Sequence, residues 1–175
     1  MPAAALAAML LSAPLLTLSQ LPALSLLPAL SLLPALSLLT VRSAAAETGI
    51  RLTPDDPAAV ARGKAVYAEA CASCHGVDLE GQENWRRRRP DGRLPAPPHD
   101  ESGHTWHHPD AQLFALTKQG PAALVGGGYQ SDMPGYDGVL TDRQILDVLS
   151  YIKSTWPERV RQQHDRINAA AAGGD

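Results

Sequence analysis

Two cysteines, Cys71 and Cys74, stand three positions apart, and His75 follows the second directly. Thiols at that spacing can each add across one of the two vinyl groups of a single haem. A histidine next to the second thiol then lies under the ring, where its Nε2 can bind iron. C-x-x-C-H is the attachment pattern of a c-type haem, and the chain has no cysteine beyond these two. A thioredoxin-like redox pair would use the same thiols, but it wants a βαβ setting, and no strand-like alternation lies nearby. A zinc site needs four ligands and would have to recruit His104 and His108, too far from Cys74 for finger spacing. Haem attachment is the best-supported chemistry.

The elements that must position this motif read as helices and loops. Asp55 and Asp56 precede Pro57, a helix start with proline at the first helical position. The pattern runs from there to Ala72, with Gly63, Tyr67 and Cys71 on one face at i, i+4 and i+8. Residues 77–108 show neither a helical nor a strand period, and a loop that long in a small domain is normally functional. Pro109-Asp110-Ala111 opens a short helix through Leu113, Phe114 and Leu116, stopped at Gly120. The run Gly126-Gly127-Gly128 leads into a loop carrying Tyr129 and Met133. Thr141 with Gln144 makes a capping box. Ile145, Val148, Leu149, Ile152 and Trp156 then form one apolar stripe at helical spacing, ended by Pro157. Residues 158–175 read as a polar, Ala- and Gly-rich tail, helical at first and frayed at Gly173-Gly174.

The N-terminal part of the 175-residue chain has a different composition. Its first charged residue is Arg42, and the hexapeptide Leu-Pro-Ala-Leu-Ser-Leu repeats in tandem from Leu21 to Leu38. Pro22, Pro28 and Pro34 disfavour a straight spanning helix, since an interior proline costs about 3 kcal/mol. Ser43-Ala44-Ala45-Ala46 matches the small-residue pattern of signal-peptide cleavage. Residues 1–46 therefore read as an export signal that is cleaved, or as a membrane anchor where it is retained. Residues 47–56 are an irregular lead-in, and 57–157 form the domain. The whole chain carries a net charge of −3, and losing Arg42 makes the exported part more acidic. Nucleic acid is not the partner such a chain suits.

In order, these elements resemble the class I c-type cytochromes, small all-helical electron carriers. The likeness covers residues 57–157: Gly63-Lys64-Ala65-Val66-Tyr67 matches the family's N-terminal helix, and Asp147-Val148-Leu149-Ser150-Tyr151-Ile152-Lys153 its C-terminal one. It implies an all-α domain wrapped around one covalently attached haem c. The two helices would cross at Gly63, with Tyr67 and Tyr151 at the contact. It also implies Met133, in Ser131-Asp132-Met133-Pro134, as the sixth iron ligand opposite His75. Independently, Met133 is the one methionine beyond the export segment, and it falls outside any apolar period. Ala96-Pro97-Pro98 is similar to the family's loop in which a proline carbonyl accepts the proximal histidine's Nδ1–H, which assigns that role to Pro97.

The function this implies is an extracytoplasmic, periplasmic, monomeric carrier of single electrons between protein redox partners. It would not be an enzyme in its own right. A haem enzyme or gas sensor with a displaceable Met133 is the rival from another class, and a cytochrome subunit of a larger oxidoreductase is a third reading. Two stretches depart from the family's minimal pattern. Arg86-Arg87-Arg88-Arg89 with Arg93 could steer an acidic partner. His99, His104, His107 and His108 are either loop and haem-pocket hydrogen-bonders, the favoured reading, or ligands for a second metal.

Overall fold

A computed structural model describes residues 49–173. The export segment expected at 1–46 lies outside them. Among the described residues the regular structure is helical: α1 Pro57–Ala70, α2 Ala72–His75, α3 Asp110–Gln119, α4 Pro121–Val125, α5 Asp142–Ser154 and α6 Glu158–Ala172. A single 3-10 turn, Thr105–His107, interrupts the long loop between α2 and α3.

Helix α1 starts where Asp56 accepts the Ala58 amide on its side chain at 2.9 Å, with Pro57 in the first turn. A cap of this kind stabilises a helix by about 1 kcal/mol. The sequence predicts one helix to Ala72. Instead the chain breaks at Cys71 (φ −119°) and restarts as the single turn α2. The Cys71 amide closes α1 on the Tyr67 carbonyl, and the Cys71 carbonyl accepts the amides of both Cys74 and His75. The break therefore reorients the five motif residues as a unit of their own.

Helix α5 carries the predicted capping box, Thr141 with Gln144. Its stripe Ile145, Val148, Leu149, Ile152, with Trp156 beyond, is buried throughout and joins Val66, Tyr67 and Leu113 in the core. The helices α1 and α5 cross at Gly63. A Cβ added there would stand 1.9 Å from the Asp147 carbonyl oxygen and 2.9 Å from Tyr151 Cβ, so only glycine permits this approach. The Tyr67 and Tyr151 rings pack beside it, centroids 5.5 Å apart.

An ion pair sits at the same crossing. Arg62 donates to both oxygens of the buried Asp147 carboxylate at 2.7 and 3.0 Å, and Arg143 adds its Nε at 3.1 Å. Hydrogen bonding from Arg62 is the main cause that holds the Asp147 carboxyl below the usual carboxylate range.

Two segments outside the predicted domain core prove to be part of it. Leu52, in the lead-in, is buried, and its amide donates to Asp110 Oδ2 at 2.8 Å. The C-terminal segment is helical as far as Ala172, and Val160 and His164 bury one face of it. His164 Nε2 donates to the His108 carbonyl at 2.9 Å, leaving Nδ1 to accept from Asn168 at 3.4 Å. Asn168 in turn accepts the Asp110 amide at 2.7 Å. Burial, with Lys153 nearby, pushes the His164 pKa down, so the ring is neutral as these bonds require. Helix α4 was not legible beforehand: five residues between Gly120 and a glycine run offer no periodicity.

Replacing Gly63 with alanine is expected to destabilise the protein by about 1–3 kcal/mol through overpacking at the crossing. Chemical denaturation of the haem-loaded protein measures it, and an unchanged midpoint would mean the helices cross elsewhere.

Candidate haem site

The motif residues occupy three different environments. Cys71 is partly buried at the end of α1, Cys74 is exposed on α2, and His75 is buried with 7 % of its surface exposed. The two thiols are free rather than joined. Burial pushes the Cys71 thiol up to about 11, so the side chain rests as the neutral thiol.

His75 Nδ1 lies 2.8 Å from the Pro97 carbonyl oxygen. A carbonyl only accepts, so Nδ1 carries the proton and Nε2 is left with its lone pair. Burial lowers the His75 pKa and the bond to Pro97 opposes that; the net direction is downward, toward the neutral ring a metal needs. Two free thiols and a neutral imidazole with an available Nε2 are the donor set that a covalently held haem requires.

The Pro97 carbonyl is itself held from behind. Gly81, at φ +70°, brings its backbone so close that an added Cβ would stand 2.4 Å from the Pro98 nitrogen. Its amide donates to the His75 carbonyl at 2.8 Å. Next to it, the Gln82 amide donates to the Ala96 carbonyl at 2.9 Å, and the Gln82 side chain accepts the Ala96 amide at 3.1 Å. Leu79 is buried at φ +65°, a strained setting for leucine. Its carbonyl accepts the His99 amide at 2.8 Å. The loop beyond His75 thus folds back as a template for residues 96–99.

His99 is a site residue that sequence reasoning left unresolved. Its ring stacks on His75, centroids 3.9 Å apart and 20° from parallel, and its Nδ1 pairs with Thr105 Oγ1 at 2.8 Å. Trp156 Nε1 donates to its carbonyl at 2.7 Å. Burial holds its pKa well below the ordinary histidine value. Of the other clustered histidines, His104 stacks on Trp85 and meets the His108 ring edge-on, both with centroids 5.4 Å apart, while His107 packs against Trp106 at 3.7 Å. Among the described residues no group of three His, Cys, Asp or Glu side chains is placed to hold a metal ion.

Met133 is partly buried in the segment between α4 and α5, its amide donating to Ser131 Oγ at 3.1 Å. Three residues on, the Tyr136 hydroxyl donates to the Ala70 carbonyl at 2.6 Å. This links the Met133 segment to the residue just before Cys71. Tyr136 ends the stretch 131–136 that resembles the family's methionine loop, but nothing in the sequence points to its bond with Ala70. The arginines separate into two sets: Arg89 and Arg93 both pair with Asp132, while Arg86, Arg87 and Arg88 are exposed.

The family model for cytochrome c matches residues 60–156, more than half of the chain. No curated protein and no solved structure matches it. With a helical fold and a C-x-x-C-H turn inside the matched span, the chain belongs to the cytochrome c family. It is a c-type cytochrome, with covalently attached haem c as its prosthetic group and electron transfer as its business.

Gly81→Ala should loosen Pro97 from His75. Exchange of the His75 ring N–H with solvent, followed by NMR, is expected to speed up by about tenfold, the scale of one lost hydrogen bond. An unchanged rate would show that Gly81 does not hold that carbonyl in place.

Proposed function

We propose that this cytochrome carries single electrons between protein partners outside the cytoplasm, as a monomer with one haem held through Cys71 and Cys74. His75 and Met133 would hold its iron in this reading. The observation that supports it is the 2.8 Å bond from His75 Nδ1 to the Pro97 carbonyl, which leaves the Nε2 lone pair free for an iron. When bound, the haem supplies an iron that gains and loses one electron. The Pro97 bond raises His75 basicity and so favours the ferric state, while the Met133 thioether favours the ferrous one. Held by His75 and Met133 in both redox states, such a group would need no ligand exchange to pass an electron, and the chain would have little to rearrange.

Export rests on the composition of residues 1–46. Among the described residues no helix is long and apolar enough to cross a membrane. Met133→Ala is expected to shift the iron toward high spin, lower the potential and admit carbon monoxide, which the ferrous parent should exclude. Rapid carbon monoxide binding by the parent would favour the enzyme or sensor reading instead. A Met133→Ala variant that keeps its low-spin spectrum and potential would remove Met133 from the iron.

The partner surface we assign to Arg86, Arg87 and Arg88. Arg86 lies over the Trp85 ring at 3.9 Å and Arg88 reaches the Gly92 carbonyl at 2.7 Å, while Arg87 makes no side-chain hydrogen bond or ion pair to the described residues. Three exposed guanidinium groups on an acidic protein suit an acidic redox partner, with an association rate that falls steeply with salt. Arg87→Ser with Arg88→Ser should slow reduction by the native partner at low ionic strength, and the gap should close as salt rises. Equal rates for variant and parent across the salt series would eliminate this surface.

A further inference from the structure

Residues 89–93 form a turn that presents two guanidinium groups together. The Gly92 amide donates to the Arg89 carbonyl and the Arg89 amide to the Arg93 carbonyl, both at 2.9 Å. Asp91 steadies the turn by accepting the Arg93 amide at 3.0 Å. Both side chains converge on one carboxylate: Arg93 Nη1 donates to Asp132 Oδ1 at 2.7 Å, and Arg89 Nη2 donates to Asp132 Oδ2. Asp132 is the chain neighbour of Met133.

The other side of Met133 is fixed independently. Gly135 packs on the end of α3 so tightly that an added Cβ would stand 2.7 Å from the Gln119 carbonyl. The Tyr136 amide donates to the Thr117 carbonyl at 3.1 Å and the Asp137 amide to the Lys118 carbonyl at 2.9 Å. Upstream the chain has slack. Gly126, Gly127 and Gly128 all adopt positive φ, with open space where a side chain would stand. Without the hold on Asp132, that slack would extend to Met133.

We propose that Arg89 and Arg93, acting through Asp132, are positioning residues that keep the Met133 thioether on the iron and set how readily an outside ligand displaces it. This rests on Met133 being the sixth ligand. The side chains of Arg89, Arg93 and Asp132 remain 39, 41 and 45 % exposed. Salt screens such pairs, and their contribution to global stability is small. The effect belongs to local opening of the Met133 segment rather than to unfolding of the domain.

The test is a titration of the ferric haem-loaded protein with imidazole, following the sulfur-to-iron charge-transfer band. Asp132→Asn should lower the imidazole concentration for half-displacement by about three- to tenfold, the usual size of a coupling between groups in contact. Its thermal unfolding should stay close to that of the parent. Asp132→Glu should restore most of the hold. Arg89→Gln with Arg93→Gln should match the Asp132→Asn effect, and adding Asp132→Asn to that pair should change nothing more. A parent that shows the band, with Asp132→Asn displaced at the parent's concentration, overturns the clamp and leaves Met133 ligation standing. Independent, additive effects of the arginine and aspartate changes would overturn it too. A parent with no such band overturns Met133 ligation and the clamp together.

Discussion

The contact on which the rest depends is the backbone approach at Gly63. It lets α1 lie against the Asp147 carbonyl, and the other features of the crossing follow from that depth. Tyr67 and Tyr151 pack beside it, and the Asp147 carboxylate is close enough for Arg62 to hold it with two donors. Burying an unpaired carboxylate would be strongly unfavourable, so the arginines are a condition of the crossing as much as a gain from it. Because α1 is fixed against α5, its far end is fixed too, and that end carries Cys71.

Orientation of His75 is a second, separate problem, solved by the loop rather than by the helices. The stretch of chain after His75 turns back, presents Gly81 to the Pro97–Pro98 backbone, and sets the carbonyl that accepts the Nδ1–H hydrogen bond. Behind it runs a path of part-buried contacts: Trp156 donates to the His99 carbonyl, its ring meets His164 edge-on, and His164 reaches the His108 carbonyl and Asp110. The polar side chains along this path each have a hydrogen-bond partner, so their burial is tolerable. His164 must be neutral to serve there. Since its folded pKa is depressed below that of the free ring, its contribution is complete above about pH 6.5 and declines as pH falls toward the folded value.

Much of this was legible in the sequence. The C-x-x-C-H turn, the Gly63 face, the Thr141 capping box and the buried stripe of α5 are local or periodic signals, and a sequence displays those directly. The features that were hidden depend on what meets what across long separations. Arg89 and Arg93 read as part of a basic run until Asp132 appears opposite them. His99 read as one of four clustered histidines, yet it alone stacks on His75. The last fifteen residues of helix looked like a tail because their buried face is only Val160 and His164, too little apolar content to register as a stripe. The break at Cys71 was invisible for another reason: Ala72-Ser73 suits a continuing helix, and only the backbone shows the turn.

The ion pair at the helix crossing joins positions 85 apart in the chain. Closing so long a loop is entropically demanding, and a topology built on such contacts folds more slowly than one built on near neighbours. A haem held through Cys71 and Cys74, as proposed, would be tied to the chain at the end of the first of those two helices. Its local concentration at the forming core is then set by the length of the intervening chain and not by how much free haem is present. Unfolding leaves it attached. Refolding of such a holo-chain would then be a first-order process, with its prosthetic group never lost to solution.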